Sequence, residues 1–231
     1  MNGFTLKIIA VVSMLTDHIG AVLLLPLADN GEFVALYFIT RYIGRIAFPI
    51  FAYLIAQGCI HTSSMTKYLA RLGILAIIAE IPYDLAFGNE INFFAGTNVF
   101  YTLFLGAAAI AIYRALSAET DKIHWRALFA ILALPTALLA NYISSDFGTF
   151  GVIFIFAIYA INPQTKMRRA LLVAAGMIIF YMAHPLPFIV FSLISAICIY
   201  FYNNKPGPKH PVAKYSFYAF YPLHLGILSL L

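Results

Sequence analysis

The sequence predicts an all-α fold, a polytopic membrane helix bundle of about nine transmembrane helices, N-terminus cytoplasmic and C-terminus outside. Three observations carry this expectation. The 231 residues are 63% hydrophobic and 10% charged, whereas a soluble domain carries about 25% charged residues; the mean hydropathy is +0.90. Apolar runs near the roughly 20 residues that a span requires follow one another along the whole chain. Lysines and arginines collect in alternate joints between those runs.

The runs lie near 6–27, 33–60, 67–87, 94–115, 123–142, 148–162, 168–183, 187–203 and 212–230. Pro163, Pro185, Pro187, Pro206 and Pro208 fall at joints, where proline stops a helix. Lys7 opens the first run. The joints after the second, fourth, sixth and eighth hold Lys67 and Arg71; Arg114, Lys122 and Arg126; Lys166, Arg168 and Arg169; Lys205, Lys209 and Lys214. The remaining joints hold Asp29, Glu32, Glu90 and Asp146, with no lysine or arginine. The positive-inside rule then sets the orientation, and an odd number of spans preserves the alternation. The net charge of +5 follows from these loops, so no nucleic-acid partner is implied.

The first run has one lysine and no small-residue cleavage site, so it is expected to stay as a span. Cys59 and Cys198 lie in apolar runs and form no disulfide framework or metal spacing. With no linker, repeat or low-complexity segment, residues 1–231 are expected to form a single domain.

Ionisable groups inside the runs are the anomaly, because each is costly in hydrocarbon. At about 1.5 Å per residue, Asp17 and His18 lie ~15 Å from the cytoplasmic end of their helix, near the midplane. Arg45 comes to the same level from the other side, with Arg41 one turn higher. Glu80 and Asp84 lie at ~20 and ~25 Å, and His224 at ~15 Å. Asn98 and Thr102 fall in the outer half. Arg41 with Arg45, Glu80 with Asp84, and Asn98 with Thr102 are each four apart, so each pair shares a helix face. The expected arrangement is a polar cavity lined by the first four spans and closed by the last. His61, His124 and His210 sit in cytoplasmic joints, and His184 at an outer end. Tyr215, Tyr218 and Tyr221 recur every third residue below His224. Gly44, Pro49 and Gly58 permit a bend in the second span.

An imidazole beside a carboxylate in a dry site is a general-base arrangement. His18 takes the proton; Asp17 orients its ring, or Glu80 or Asp84 does so across helices, since neighbours on a helix point about 100° apart. Arg41 and Arg45 suit an anion or a developing oxyanion. His18 and His224 lack a convincing third metal ligand, so no metal is expected.

Thr16-Asp-His-Ile-Gly20, Arg41-Tyr-Ile-Gly-Arg45-Ile-Ala-Phe-Pro-Ile-Phe51, Gly58-x-x-His61-Thr62, Lys67-Tyr68-x-x-Arg71-Leu72, Glu80-Ile-Pro-Tyr-Asp84, Asn98-Val-Phe-x-Thr102 and Tyr218-x-x-Tyr221-Pro-Leu-His224 appear in that order. This series resembles the TraX family, whose namesake is an F-pilin acetylase. The resemblance runs nearly end to end and is weakest over about 115–200. It implies a membrane acyltransferase of the bacterial cytoplasmic (inner) membrane that takes acetyl from acetyl-CoA, with His18 as the catalytic residue and Asp17 beside it. It further implies that the arginine-rich second span and the last-span histidine line the tunnel for donor and acceptor. Arg41, Arg45, His61, Lys67 and Arg71 are assigned to the donor. Glu80, Asp84, Asn98, Thr102, Tyr221 and His224 are assigned to the acceptor path. The acceptor is an amine such as a pilin N-terminus, or a hydroxyl or amino group of a cell-surface glycan. A proton-coupled transporter is the alternative use of the same midplane charges.

Overall fold

The structure is a computed structural model that describes residues 1–118, 122–208 and 211–231. Lys209 and His210 lie outside the described residues, as do the side chains of His124, Arg126, Lys214 and Tyr215.

Among the described residues the elements are helical. α1 (Gly3–Ile19), a π-helical turn (Gly20–Leu24) and α2 (Leu25–Asp29) run on as one helix. α3 (Val34–Gly44) and α4 (Ala47–His61) form a second. Then come α5 (Met65–Ala86), α6 (Val99–Ser117), α7 (Ile123–Leu132) and α8 (Leu134–Tyr142), the last two joined through Ala133. α9 (Gly148–Ile161), α10 (Lys166–Tyr181), α11 (Leu186–Tyr200) and α12 (Pro211–Leu228) complete the order. Counted end to end, the described residues hold nine helical stretches, one for each apolar run.

Gly3–Asp29, Val34–His61 and Val99–Ser117 are each long and apolar enough to cross a membrane, and Ala130–Tyr142, Gly148–Ile161 and Leu186–Tyr200 are apolar but shorter. α5 is long enough, but Lys67, Arg71, Glu80 and Asp84 dilute it. Its burial is inverted relative to a soluble helix. Glu80 and Asp84 are 0% and 1% exposed, while Ile77 and Leu85 are 56% and 53% exposed and Ile74, Ile78 and Ile81 join them on the open face. A helix that hides carboxylates and presents isoleucines belongs in lipid, not water. The chain is a membrane protein.

Two prolines shape the long helices. Proline lacks an amide hydrogen and crowds the carbonyl four residues earlier. Pro49 therefore leaves the Arg45 carbonyl without its helical donor, and the helix breaks there: the Arg45 and Ile46 amides reach back only three residues, to Tyr42 and Ile43. Pro26 does the same to Val22, inside the π-helical turn, where the Leu25 amide bonds the Gly20 carbonyl five residues back. The fourth stretch begins at Val99 rather than near 94. Hydropathy extends that run through Phe93, Phe94 and Ala95, but the two phenylalanines form a turn and Ala95 a bend. Asn98 sets the start, because its side-chain oxygen accepts the Phe100 amide hydrogen at 2.9 Å.

The chain folds as two compact units: Met1–Phe51 with Ile81–Glu90 and Pro163–Leu231, and Ala52–Glu80 with Ile91–Asn162. In the first, α1 packs on α3 and α12, and α11 on α3 and α10. In the second, α6 packs on α9 with α7 and α8 against it. Gly106 makes that approach possible, since a Cβ there would strike Ile155.

Candidate active site

The first unit holds most of the ionisable residues singled out in the sequence. His18, at the last turn of α1, and His224, on α12, are buried, at 9% and 6% exposure. His18 Nδ1 lies 2.7 Å from His224 Nε2, and the rings are parallel within 5°. The other nitrogen of His224, Nδ1, lies 2.8 Å from the Phe220 carbonyl oxygen. Phe87 and Tyr221 stand edge-on to the His18 ring at 5.7 and 5.8 Å, and Phe220 stacks on His224 at 4.7 Å. Both imidazole planes are thereby held on several sides.

Asp17 faces elsewhere. Its Oδ1 accepts from Arg45 at 2.8 Å and pairs with Arg41 at 3.0 Å. Arg41 also reaches the Asp17 carbonyl at 3.4 Å. The Arg45 Nε–H donates to the Arg41 carbonyl at 2.9 Å, the acceptor that the Arg45 amide abandons at the helix break. Arg45 also lies over the Phe188 ring, 5.6 Å from its centre. The helix distortion and the arginine geometry are one feature. One carboxylate between two guanidinium groups leaves the cluster with a net positive charge, next in sequence to His18.

Small residues admit this cluster. A Cβ at Gly20 would collide with the Thr40 hydroxyl, and one at Gly44 would fall on the Asp17 carboxyl group. The glycines in Thr16-Asp-His-Ile-Gly20 and Arg41-Tyr-Ile-Gly-Arg45 thus let α1 and α3 lie against each other. The π-helical turn begins two residues after His18, and such turns recur at functional sites. Asp84 is buried in the same unit.

The second unit holds a polar set of its own. Glu80 Oε2 accepts from the Asn98 side-chain amide and, at 3.1 Å, from its backbone amide. The Asn98 side chain also donates to the Ala76 carbonyl at 2.9 Å. Thr102 and Ser145 share a hydroxyl hydrogen bond of 2.9 Å. His61 and Lys67 are exposed, and Arg71 lies over the Tyr68 ring with a buried Nε that has no hydrogen-bond partner among the described residues. Arg114 donates to the Cys59 carbonyl at 2.6 Å, capping the end of α4.

The structure pairs these residues differently from the sequence-based expectation. The partner of the His18 ring is His224, 206 positions away, where a carboxylate was expected. Asp17 joins the arginines. Arg114 and Phe87 were not singled out; Arg114 reads as a loop charge, and Phe87 as one more apolar residue. Among the described residues, no group of three or more His, Cys, Asp or Glu is placed to hold a metal ion.

The chain is 29% identical over 245 aligned residues to "Probable fimbrial assembly protein FimC, serogroup H1" of Dichelobacter nodosus, covering 98% of this chain and 94% of that protein. No solved structure matches significantly. The family model described as "TraX protein" matches residues 2–231, and the chain belongs to that family.

Proposed function

We propose that the protein is a multi-pass acetyltransferase of the bacterial cytoplasmic membrane that moves acetyl from cytoplasmic acetyl-CoA to an acceptor amine or hydroxyl. The observation that carries this reading is a buried histidine pair directly following a carboxylate held by two arginines. The name of the fimbrial relative supports a pilin N-terminus as the acceptor, with a cell-surface glycan as the other candidate. In this reading the nine helical stretches cross the bilayer with the N-terminus cytoplasmic, and the whole chain acts as one domain.

His18 serves as the base. The acceptor nitrogen, as the free amine, attacks the thioester carbonyl carbon while His18 takes one of its protons. The new C–N bond forms, the C–S bond breaks, and the thiolate leaves to be protonated by His18, giving coenzyme A and the acetylated amine. Transfer is direct, within a ternary complex. Arg41 and Arg45 supply positive potential where negative charge develops on the thioester oxygen, and Asp17 holds both side chains in place. Tyr221 and Phe87 keep the His18 ring oriented. His61, Lys67 and Arg71 take the donor's phosphate groups. Glu80, Asp84, Asn98 and Thr102 shape the acceptor path.

The test uses purified protein in lipid nanodiscs with acetyl-CoA and either a pilin N-terminal peptide or an amino sugar, following thiol release. Acceptor-dependent release that falls to background in His18→Ala supports the reading. Equal rates in wild type and His18→Ala overturn it.

A further inference from the structure

The two histidines bond through specific nitrogens, and those nitrogens determine the protonation pattern. The Phe220 carbonyl can only accept a hydrogen bond, so His224 Nδ1, 2.8 Å from it, carries a hydrogen. A neutral imidazole has one N–H. His224 Nε2 is therefore a bare lone pair, and the group 2.7 Å from it, His18 Nδ1, is the donor. His18 in turn has its lone pair on Nε2. The chain carbonyl–His224–His18 is directional, with its open acceptor at one end.

We infer that His224 is the positioning residue and proton relay for His18, in the place where a carboxylate commonly orients a catalytic histidine. This rests on His18 being the base of the proposed transfer. The nearest carboxylate in sequence, Asp17, is committed to Arg41 and Arg45. When His18 Nε2 accepts a proton from the acceptor, its Nδ1 proton passes to His224 Nε2. The positive charge moves to His224, whose Nδ1–H points at the Phe220 carbonyl and whose ring lies flat against Phe220 at 4.7 Å, a face that favours a cation. The proton count is conserved: one enters at His18 Nε2, one crosses between the rings, and both shifts reverse when the thiolate takes a proton from His18. The relay carries positive charge off His18 onto the more distant ring. A neutral pair also spares the bilayer interior a buried anion while the site waits.

Nitrogen-15 NMR of histidine-labelled protein in nanodiscs reads the tautomers directly, with His18 and His224 assigned by their loss in His18→Ala and His224→Ala. The expected wild-type result is an Nδ1-protonated tautomer at both positions, although free neutral imidazole side chains favour Nε2–H. His224→Ala should move His18 to Nε2–H. His224→Gln places an oxygen near the lost Nε2, so it should keep His18 Nδ1-protonated while accepting no proton. In the thiol-release assay both variants should then lower kcat by about 10²–10⁴-fold, the usual weight of one proton-transfer group, with KM for acetyl-CoA near the wild-type value. An Nε2-protonated His18 in wild type overturns the inference, as does full kcat in His224→Gln. If no protein releases thiol while both tautomers are as expected, the acetyl-transfer reading fails and the directional pair stands. Should His224→Ala not fold, the wild-type and His224→Gln spectra still decide.

Discussion

Gly44 and Asp17 share one space: a Cβ at residue 44 would sit where the Asp17 carboxyl group lies. Asp17 reaches Arg41 and Arg45 only by lying flat across α3 at this glycine. In a helix, Gly→Ala ordinarily gains up to about 1 kcal/mol. Here the sign should reverse. Gly44→Ala expels the carboxylate and leaves two guanidinium groups in a half-buried site without their anion, where breaking a fully buried pair costs about 3–5 kcal/mol. The expected outcome is a lower melting temperature in detergent and thiol release close to that of His18→Ala. A stabilised, active Gly44→Ala protein would refute the packing argument.

Pro49 is the second case in which a local rule is broken to serve the site. Pro49→Ala returns an amide hydrogen to the Arg45 carbonyl, and a straight helix gives the Arg41 carbonyl back to the Arg45 amide. The Arg45 side chain then loses the bond its Nε makes at 2.9 Å. Stability should hold or rise, because the break is removed, while kcat falls at least about tenfold, the trade between stability and activity expected of a strained site. Thermal melts and thiol-release kinetics on the same preparation check both halves. Unchanged kcat would mean that the break does not position Arg45.

How much of this was legible beforehand differs between fold and site. Run lengths and prolines are local signals, so the nine helical stretches and most of their ends could be read from the sequence; the start of α6 could not, because Phe93 and Phe94 are as apolar in a turn as in a span. Asp17, His18, Arg41, Arg45 and His224 stood out because ionisable groups are rare in apolar runs. Their pairing was hidden. It depends on side-chain direction and on Gly44 and Gly20 bringing α1 and α3 together, and the His18–His224 contact joins opposite ends of the chain. Depth along a helix is a one-dimensional reading and does not say which groups face one another.

Arg45 makes contacts that a lysine cannot reproduce. Its Nε and Nη2 serve two acceptors at once, the Arg41 carbonyl and Asp17, while the plane lies over Phe188. An ammonium keeps the charge but not the fork. Arg45→Lys should therefore rescue only part of what Arg45→Ala loses, leaving a deficit of about 1–3 kcal/mol, the cost of one unsatisfied buried partner. Urea or thermal unfolding of the three proteins measures this. Full recovery in Arg45→Lys would show that charge alone matters.

Asn98 ties α6 to Glu80, and the two substitutions that break the tie should rank in an informative order. Asn98→Ala removes the cap of α6, about 1 kcal/mol, and a donor to the Glu80 carboxylate. Asn98→Asp keeps a capping oxygen but sets a second carboxylate against Glu80 in a buried place, where like charges repel strongly. Asn98→Asp should be the less stable of the two at neutral pH and recover toward Asn98→Ala as the pH falls and the carboxylates take up protons. Melting curves at several pH values decide it. An Asn98→Asp protein more stable than Asn98→Ala at neutral pH would mean that capping outweighs the Glu80 contact.

The basic residues of the second unit test the donor assignment separately from the chemistry. Lys67 and Arg71 are far from the histidine pair in the sequence, and neither is needed for proton transfer in the proposed mechanism. If they hold phosphate groups of acetyl-CoA in the ground state and transition state alike, their loss weakens binding uniformly and raises KM with kcat unchanged. Lys67→Gln and Arg71→Gln should each raise KM for acetyl-CoA several-fold. Added salt should raise the wild-type KM toward theirs, because exposed charges are screened within about 8 Å at physiological ionic strength. Arg71 should show the larger effect, since its guanidinium is already held over Tyr68 and loses less freedom on binding. A fall in kcat at constant KM, in either variant, would move that residue out of the donor site and into the machinery that acts on the transition state.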